Sequence, residues 1–142
     1  MLEGIFSSEI YQVLQKSLNA ASLQHQIISN NIANVDTPGF KRSEVVFQNK
    51  LEQVLGLQEK NYLPLTLTHK NHIPVVPELT IDKINPEIVT KTETSLRTDK
   101  NNVDIDFEMS RMAENTAYYS SIAQLTSLKL KELISAITEG RR

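Results

Sequence analysis

Two histidines, His69 and His72, are the residues whose types and spacing come nearest to a metal site. A zinc site needs three or four converging ligands, and the neighbouring carboxylates of Glu78 and Asp82 supply no third ligand at a typical spacing. His25 lies within an apolar helical pattern, where a packed or register-setting imidazole is typical. We therefore predict no metal ion and no cofactor. The rival hypothesis is a small metal-dependent enzyme that uses His69 and His72.

The polar segment at residues 99–104 could be taken for a calcium loop. An EF-hand loop needs a glycine at its sixth position and a glutamate at its twelfth, and this segment offers neither. Capping of a following helix by Asn102 or Asp104 explains it better. No serine stands in a strand-turn-helix nucleophile pattern, and no glycine-rich loop could hold a phosphate. We predict that the chain is not an enzyme and has no small-molecule substrate.

The overall composition excludes further classes of protein. The chain has 142 residues, about one domain by length, with 23% charged, 39% hydrophobic and 6% aromatic residues. Its 15 basic and 17 acidic residues are spread along the chain, and the basic residues form no run. Nucleic acid is therefore not expected as a partner. Cysteine is absent, which excludes disulfides. The N-terminus lacks the pattern of a cleaved secretory signal, and no stretch approaches the roughly 20 apolar residues that span a bilayer.

The first long pattern predicts a helix over about residues 8–35, because its apolar side chains recur at alternating steps of four and three residues. This heptad seam contains Tyr11, Leu14, Leu18, Ala21, His25, Ile28, Ile32 and Val35. A second apolar set beside it contains Ile10, Val13, Ala20 and Ile27. The apolar face is therefore wider than one partner helix can cover.

The C-terminal pattern predicts a second long helix, which Asp104 or Asn102 caps and Gly140 ends. Its seam contains Ile105, Met109, Met112, Thr116, Tyr119, Ala123, Thr126, Leu130, Leu133 and Ile137. A second apolar set contains Tyr118, Ile122, Leu125 and Leu128. We expect the two long helices to pair and to leave their second apolar sets for neighbouring chains. Head-to-tail contacts between identical chains would then build a filament or tube.

The middle of the chain is less regular. Pro38 and Gly39 suit the centre of a type II turn that ends the first helix, and extended structure at 43–47 and a short helix at about 47–55 should follow. Prolines then separate short β-branched runs at 65–68, 73–76 and 88–90.

These patterns together predict a mainly α fold. Long N- and C-terminal helices pair as an antiparallel coiled coil, and a central irregular segment contains short β-strands and a short helix. We divide the chain into an N-terminal helix at 1–36, a central segment at 37–103 and a C-terminal helix at 104–142.

The most distinctive run lies where the first helix meets the turn, and we call it the signature. It consists of Asn30, Asn31, Ala33, Asn34, Thr37, Pro38, Gly39, Phe40 and Lys41. Because the turn uses only the proline and the glycine, the asparagines could bond neighbouring backbone in a packed assembly. We interpret the signature as a place where chains contact each other in the assembly, rather than as a linker.

The signature resembles the N-terminal motif of bacterial flagellar rod, hook and hook-associated proteins, whose general form is Asn-Asn-aliphatic-Ala-Asn-x-x-Thr-x-Gly-aromatic-Lys. The residues from Asn101 to Met109, followed by Met112 and Tyr119, resemble proximal rod subunits. The segment around His69 resembles the middle of FlgB-type subunits. The chain departs from the family at Lys100, where a glycine commonly precedes the paired asparagines.

The resemblance implies a structural subunit of the proximal rod of the flagellar basal body. Such a subunit leaves the cytoplasm through the flagellar type III apparatus, uncleaved. It then polymerises through its terminal helices outside the cytoplasmic membrane, links the membrane ring to the distal rod and hook, and transmits torque.

The implied partners are other copies of the chain, other rod subunits, the membrane-ring and rod-adaptor proteins of the basal body and, transiently, the export gate. Phe6 and Ile10 are similar to the element by which early flagellar subunits engage that gate, and they equally suit the start of the helix's apolar face. The alternative function is a cytoplasmic coiled-coil adaptor.

Overall fold

The structure is a computed structural model, and the residues that it describes are 9–56, 80–92 and 98–139. The helices are α1 (Glu9–Ala33), α2 (Gln48–Val54) and α3 (Ile105–Glu139), the strands are β1 (Ser43–Val46) and β2 (Glu87–Thr90), and a 3-10 turn spans Ile81–Lys83. The runs predicted at 65–68 and 73–76, and Phe6, His69, His72 and Gly140, lie outside the described residues.

Helices α1 and α3 pack against each other in opposite directions. The Tyr11 hydroxyl donates to the carbonyl of Lys129 at 3.2 Å, whereas near the other end of the pair the Asn31 amide donates to the Glu108 carboxylate at 3.1 Å. The start of α1 therefore lies beside the later part of α3, and the end of α1 lies beside the start of α3. The predicted mainly α fold with paired terminal helices is confirmed. Among the described residues, neither of the two long helices contains a stretch that could span a membrane.

The central segment contains a two-stranded antiparallel sheet and a short helix, as predicted. In the register of the sheet, Ser43 lies opposite Thr90 and Val46 lies opposite Glu87. A small core of Ala20, Phe47 and Ile84 is surrounded by partly buried Val45, Leu51 and Val54. This core attaches the central segment to α1.

The Lys16 ammonium adds a polar fastening beside this core. It donates to the carbonyls of Asp82 and Ile84 at 2.8 and 2.7 Å. The two carbonyls lie within and just after the 3-10 turn. The turn is therefore held on α1 by both apolar packing and hydrogen bonds.

Helix α3 turns a face toward α1 that differs from its predicted seam. The buried side chains of α3 are Glu108, Asn115 and Ile122, at 1, 6 and 6% exposure. Two of the three are polar, so a search for apolar periodicity passes over them. Their hydrogen-bond partners allow their burial.

The predicted seam of α3 lies beside this contact. Met112 and Leu133 are half-buried at its edge. The large side chains that stay exposed, which we call the exposed seam, are Ile105 (46%), Met109 (53%), Tyr119 (45%), Leu130 (39%) and Ile137 (63%). On α1, by contrast, Ala21 and Ile28 are buried, and Leu14, Leu18 and Ile32 are half-buried.

Candidate functional site

The end of α1 and the start of α3 are tied together by a polar cluster, which we call the joint. It begins at the turn after α1, where the backbone N–H of Phe40 donates to the carbonyl of Thr37 at 3.3 Å. Gly39, with a φ of 74°, occupies the position of that turn that requires a left-handed backbone. Its N–H donates across the joint to the carbonyl of Asp99 at 2.8 Å. The predicted turn at Pro38 and Gly39 is confirmed.

Asn101 fastens this turn to the chain that enters α3. It is fully buried, at 0% exposure. Its side-chain Nδ2 lies 2.9 Å from each of the carbonyl oxygens of Asn34, Val35 and Thr37, and its Oδ1 accepts a hydrogen bond from the N–H of Val103 at 2.8 Å. One amide therefore holds three carbonyls of the segment that follows α1.

Asn31, in the last turn of α1, also fastens several segments with one buried amide. Its side chain is 1% exposed and forms a reciprocal pair with the backbone of Ser43, donating to its carbonyl at 2.8 Å and accepting from its N–H at 3.0 Å. The same Nδ2 donates to the Glu108 carboxylate. Asn31 thus joins α1, β1 and α3 at one point.

A buried ion pair completes the joint. The Arg42 guanidinium donates through Nε to Oε1 of Glu108 at 3.0 Å, where the two side chains are 19 and 1% exposed. A second guanidinium nitrogen reaches Glu44 at 3.3 Å, and the guanidinium lies 4.7 Å from the centre of the Phe107 ring. The Glu108 charge is therefore matched by Arg42 and hydrogen-bonded by Asn31, as a buried carboxylate requires.

The two candidate caps of α3 have separate roles. Asp104 is the cap, since its Oδ1 accepts from two N–H groups in the first turn of α3 at 3.0 and 3.4 Å. Asn102 instead accepts from the N–H of Arg42 at 2.7 Å and donates to the carbonyl of Lys91 at 2.9 Å. It thereby ties the start of α3 to the sheet region.

The predicted signature residues divide into a buried and an exposed group. Asn31 is buried, and Asn34 donates to the carbonyl of Asn30 within its own helix at 2.8 Å. Lys41 donates to the carbonyl of Lys100 at 2.9 Å, and Phe40 is half-buried. The exposed members are Asn30, Ala33, Thr37, Pro38 and Gly39. The observed partners of these asparagines belong to the same chain, and a role of the signature between chains stays a prediction.

Sequence reasoning missed the partners of Asn31. Arg42 directly follows the signature, and Glu108 falls between the seam positions, so neither stood out as part of a site. The available signal was the recurrence of paired asparagines at 30–31 and 101–102, each beside a helix end.

The joint has the chemistry of a structural connection. Among the described side chains, no buried nitrogen or oxygen lacks a hydrogen-bond partner. No group of three or more metal-binding side chains occurs in the same part of the chain. The arrangement fixes the direction in which α3 leaves the sheet and α1.

A model of the family described as flagella basal body rod protein matches residues 12–41. The chain is 34% identical over 138 residues to the flagellar basal body rod protein FlgB of Bacillus subtilis, covering 97% of this chain and 99% of that protein. It is 32% identical to FlgB of Borreliella burgdorferi, over 82% of this chain and 86% of that protein. FlgB of Salmonella typhimurium is 28% identical, over 89% of this chain and 91% of that protein.

The family match, which spans most of α1 and the turn after it, and these identities place the chain among the flagellar basal body rod proteins. Within that class, the chain belongs to the FlgB family. It is a structural subunit of the rod and a component of the flagellar basal body.

Proposed function

We propose that the chain is a subunit of the proximal rod that is exported by the flagellar type III apparatus and polymerises through its terminal helices. Residues 1–36 and 104–142 form its core domain, and residues 37–103 form the central segment. The assembled rod links the membrane ring to the distal rod and hook and transmits torque outside the cytoplasmic membrane. The chain has no catalytic role in this proposal.

The observation that carries the proposal is the exposed seam of α3. Its five side chains, defined above, are 39 to 63% exposed, and no charged residue interrupts the ten seam positions from Ile105 to Ile137. Helix α3 therefore presents an uncharged apolar strip next to its contact with α1. Contiguous exposed apolar surface of this kind is typical of an interface.

The partners follow from this strip. A neighbouring copy of the chain, another rod subunit, or a membrane-ring or rod-adaptor protein with an apolar helix would cover it. The export gate would contact the chain only transiently, and Phe6 and Ile10 are the proposed contact. Ile10 is 56% exposed at the start of α1.

The joint suits a part that carries torque. A twisting load on one terminal helix reaches the other through Asn31, Arg42 and Glu108, and through Asn101, as well as through the apolar packing. Hydrogen bonds have narrow geometric preferences, so the joint resists a change in the angle between these elements.

Two aspartate substitutions test the proposal separately from folding. Leu130 is 39% exposed and Ile28 is 4% exposed. Leu130→Asp should therefore leave the isolated chain folded and abolish rod assembly, because an unpaired charge in the assembled interface costs several kcal/mol. Ile28→Asp should unfold the chain itself. The matched control is Gln124→Asp, at an exposed position of the same helix about 120° around its axis from Leu130.

The readouts are the circular dichroism of the purified chain and the number of basal bodies isolated from cells that express each variant. Normal basal bodies with Leu130→Asp would refute the seam as an interface. Export is tested by deleting residues 5–10 and measuring the secreted chain. Unchanged secretion would remove the gate element from the proposal.

A further inference from the structure

The two sides of α3 next to its contact with α1 carry different apolar features. Tyr119 precedes the buried Ile122 by three residues, and Leu125 follows it by three. At 3.6 residues per turn, these two side chains lie about 60° to opposite sides of Ile122. Ile122 is 6% exposed, whereas Tyr119 and Leu125 are 45 and 54% exposed.

On the Tyr119 side, a groove of about 270 Å³ lies between α1 and α3. It is lined by Ala21, Ser22, His25, Asn115, Thr116 and Tyr119. Ala21, Ser22 and His25 of α1 form one wall, and no aspartate, glutamate, lysine or arginine contributes to the lining.

Of the polar side chains in the lining, the Asn115 amide and the Thr116 hydroxyl are already bonded within the chain. Asn115 donates to the carbonyl of Ala21 at 2.9 Å. The groove therefore suits an uncharged, aliphatic side chain better than a charged or strongly polar one.

The opposite side of α3 offers such a side chain. Leu125 and Leu128 are 54 and 56% exposed, and their spacing of three residues places them next to each other on the helix surface. Nothing in the described part of the chain covers them. They form a protruding apolar pair, in contrast to the concave groove.

We infer that copies of the chain associate side by side and head to tail, with Leu125 and Leu128 of one copy entering the groove between Ser22 and Tyr119 of the next. The inference rests on the proposed self-association and adds the two surfaces that meet. Because protrusion and groove are different surfaces, each copy uses both, and the contact builds a ring or a helical filament of more than two copies. A contact between two exposed seams would instead join equivalent surfaces and close as a dimer.

Engineered cysteines test the pairing, because the natural chain contains none. Ser22→Cys and Leu128→Cys are introduced together, and basal bodies are isolated and oxidised. The two positions cannot be bridged within one chain. Ser22 lies beside the groove residue Thr116, and Leu128 is twelve residues further along α3, about 18 Å at 1.5 Å per residue, whereas the Cα atoms of a disulfide lie within about 7 Å.

The expected result is a ladder of disulfide-linked multimers larger than dimers. Neither single variant should form the ladder, and neither should the control pair Ser22→Cys with Ser120→Cys, whose second position lies on the exposed back of α3. Dimers from Ser22→Cys alone, or normal rods without any ladder from the double variant, would overturn the inference. In the latter case the proposed function would stand, since it depends on Leu130→Asp.

A charge pair covers the case in which the cysteine variants do not assemble. Leu128→Lys should abolish basal bodies, and adding Ser22→Glu should restore them, because the two new charges then meet across the interface. Normal assembly of Leu128→Lys alone, or no restoration by Ser22→Glu, would overturn the pairing of these two surfaces.

Discussion

Replacing Asn101 by alanine should destabilise the chain more than any other asparagine change in the signature or the joint. The side chain is 0% exposed and bonds to three carbonyls and one N–H group. The substitution therefore removes hydrogen bonds and leaves some of their partners buried and unpaired.

The magnitude follows from which partners have a second bond. The carbonyls of Asn34 and Thr37 also accept backbone N–H groups, at 3.1 and 3.3 Å. For the other two groups, the hydrogen bond that the structure describes is the one to Asn101. The carbonyl of Val35 accepts from its Nδ2, and the N–H of Val103 donates to its Oδ1. Each buried unpaired group costs about 1–3 kcal/mol, so the loss of two should lower the free energy of unfolding by about 2–6 kcal/mol. Since a typical domain is stable by about 5–15 kcal/mol, this loss is large.

The assay is urea unfolding of the purified chain, followed by circular dichroism at a helix-sensitive wavelength. The matched control is Asn30→Ala, the same chemical change at an exposed position of the signature. This control should be neutral or slightly stabilising, because alanine has the higher helix propensity. Surface substitutions usually change the free energy of unfolding by no more than about 0.5 kcal/mol. If the value for Asn101→Ala lies within that range of both the control and the natural chain, the assigned role of Asn101 is refuted.

Three further changes test other parts of the joint and the sheet. Arg42→Met should cost about 3–5 kcal/mol by leaving the Glu108 charge unpaired, and the double variant with Glu108→Leu should recover most of that loss in the same unfolding assay. Lys100, with a φ of 61°, strains an L-residue, so Lys100→Gly should stabilise by about 1 kcal/mol, whereas Lys100→Ala should not. The hydrogen bond from Lys50 holds the pKa of the Glu87 carboxyl below its usual range. The ion pair therefore contributes to stability at neutral pH, and this contribution is lost as the pH falls through the lowered pKa. An NMR titration of Lys50→Gln should show a higher midpoint for the Glu87 carboxyl than in the natural chain.

Lys100 is also the position at which the sequence departs from the motif that it resembles, where a glycine is expected. Its left-handed backbone, with a φ of 61°, is one that glycine adopts without strain. The Lys100 carbonyl accepts the hydrogen bond from Lys41. A glycine would keep this carbonyl, so Lys100→Gly separates backbone strain from the loss of a contact.

Local sequence patterns were enough to predict several helices, strands and turns. The ends of α1 and the turn at Pro38 and Gly39 follow from helical periodicity and from the φ angles that those two residues favour. The short strand at Ser43–Val46 and the helix at Gln48–Val54 follow from short apolar runs. The signature pointed to the family for the same reason, since its residues are contiguous in the chain.

Tertiary structure alone decided which face of α3 meets α1 and how the joint is closed. The buried face is built on Glu108 and Asn115, whose burial depends on Arg42, Asn31 and the backbone of α1 as partners. Those partners are 66 to 94 positions away, so no local pattern marks them. Apolar periodicity located the exposed seam instead, because it records hydrophobic side chains wherever they will be covered, within one chain or between chains.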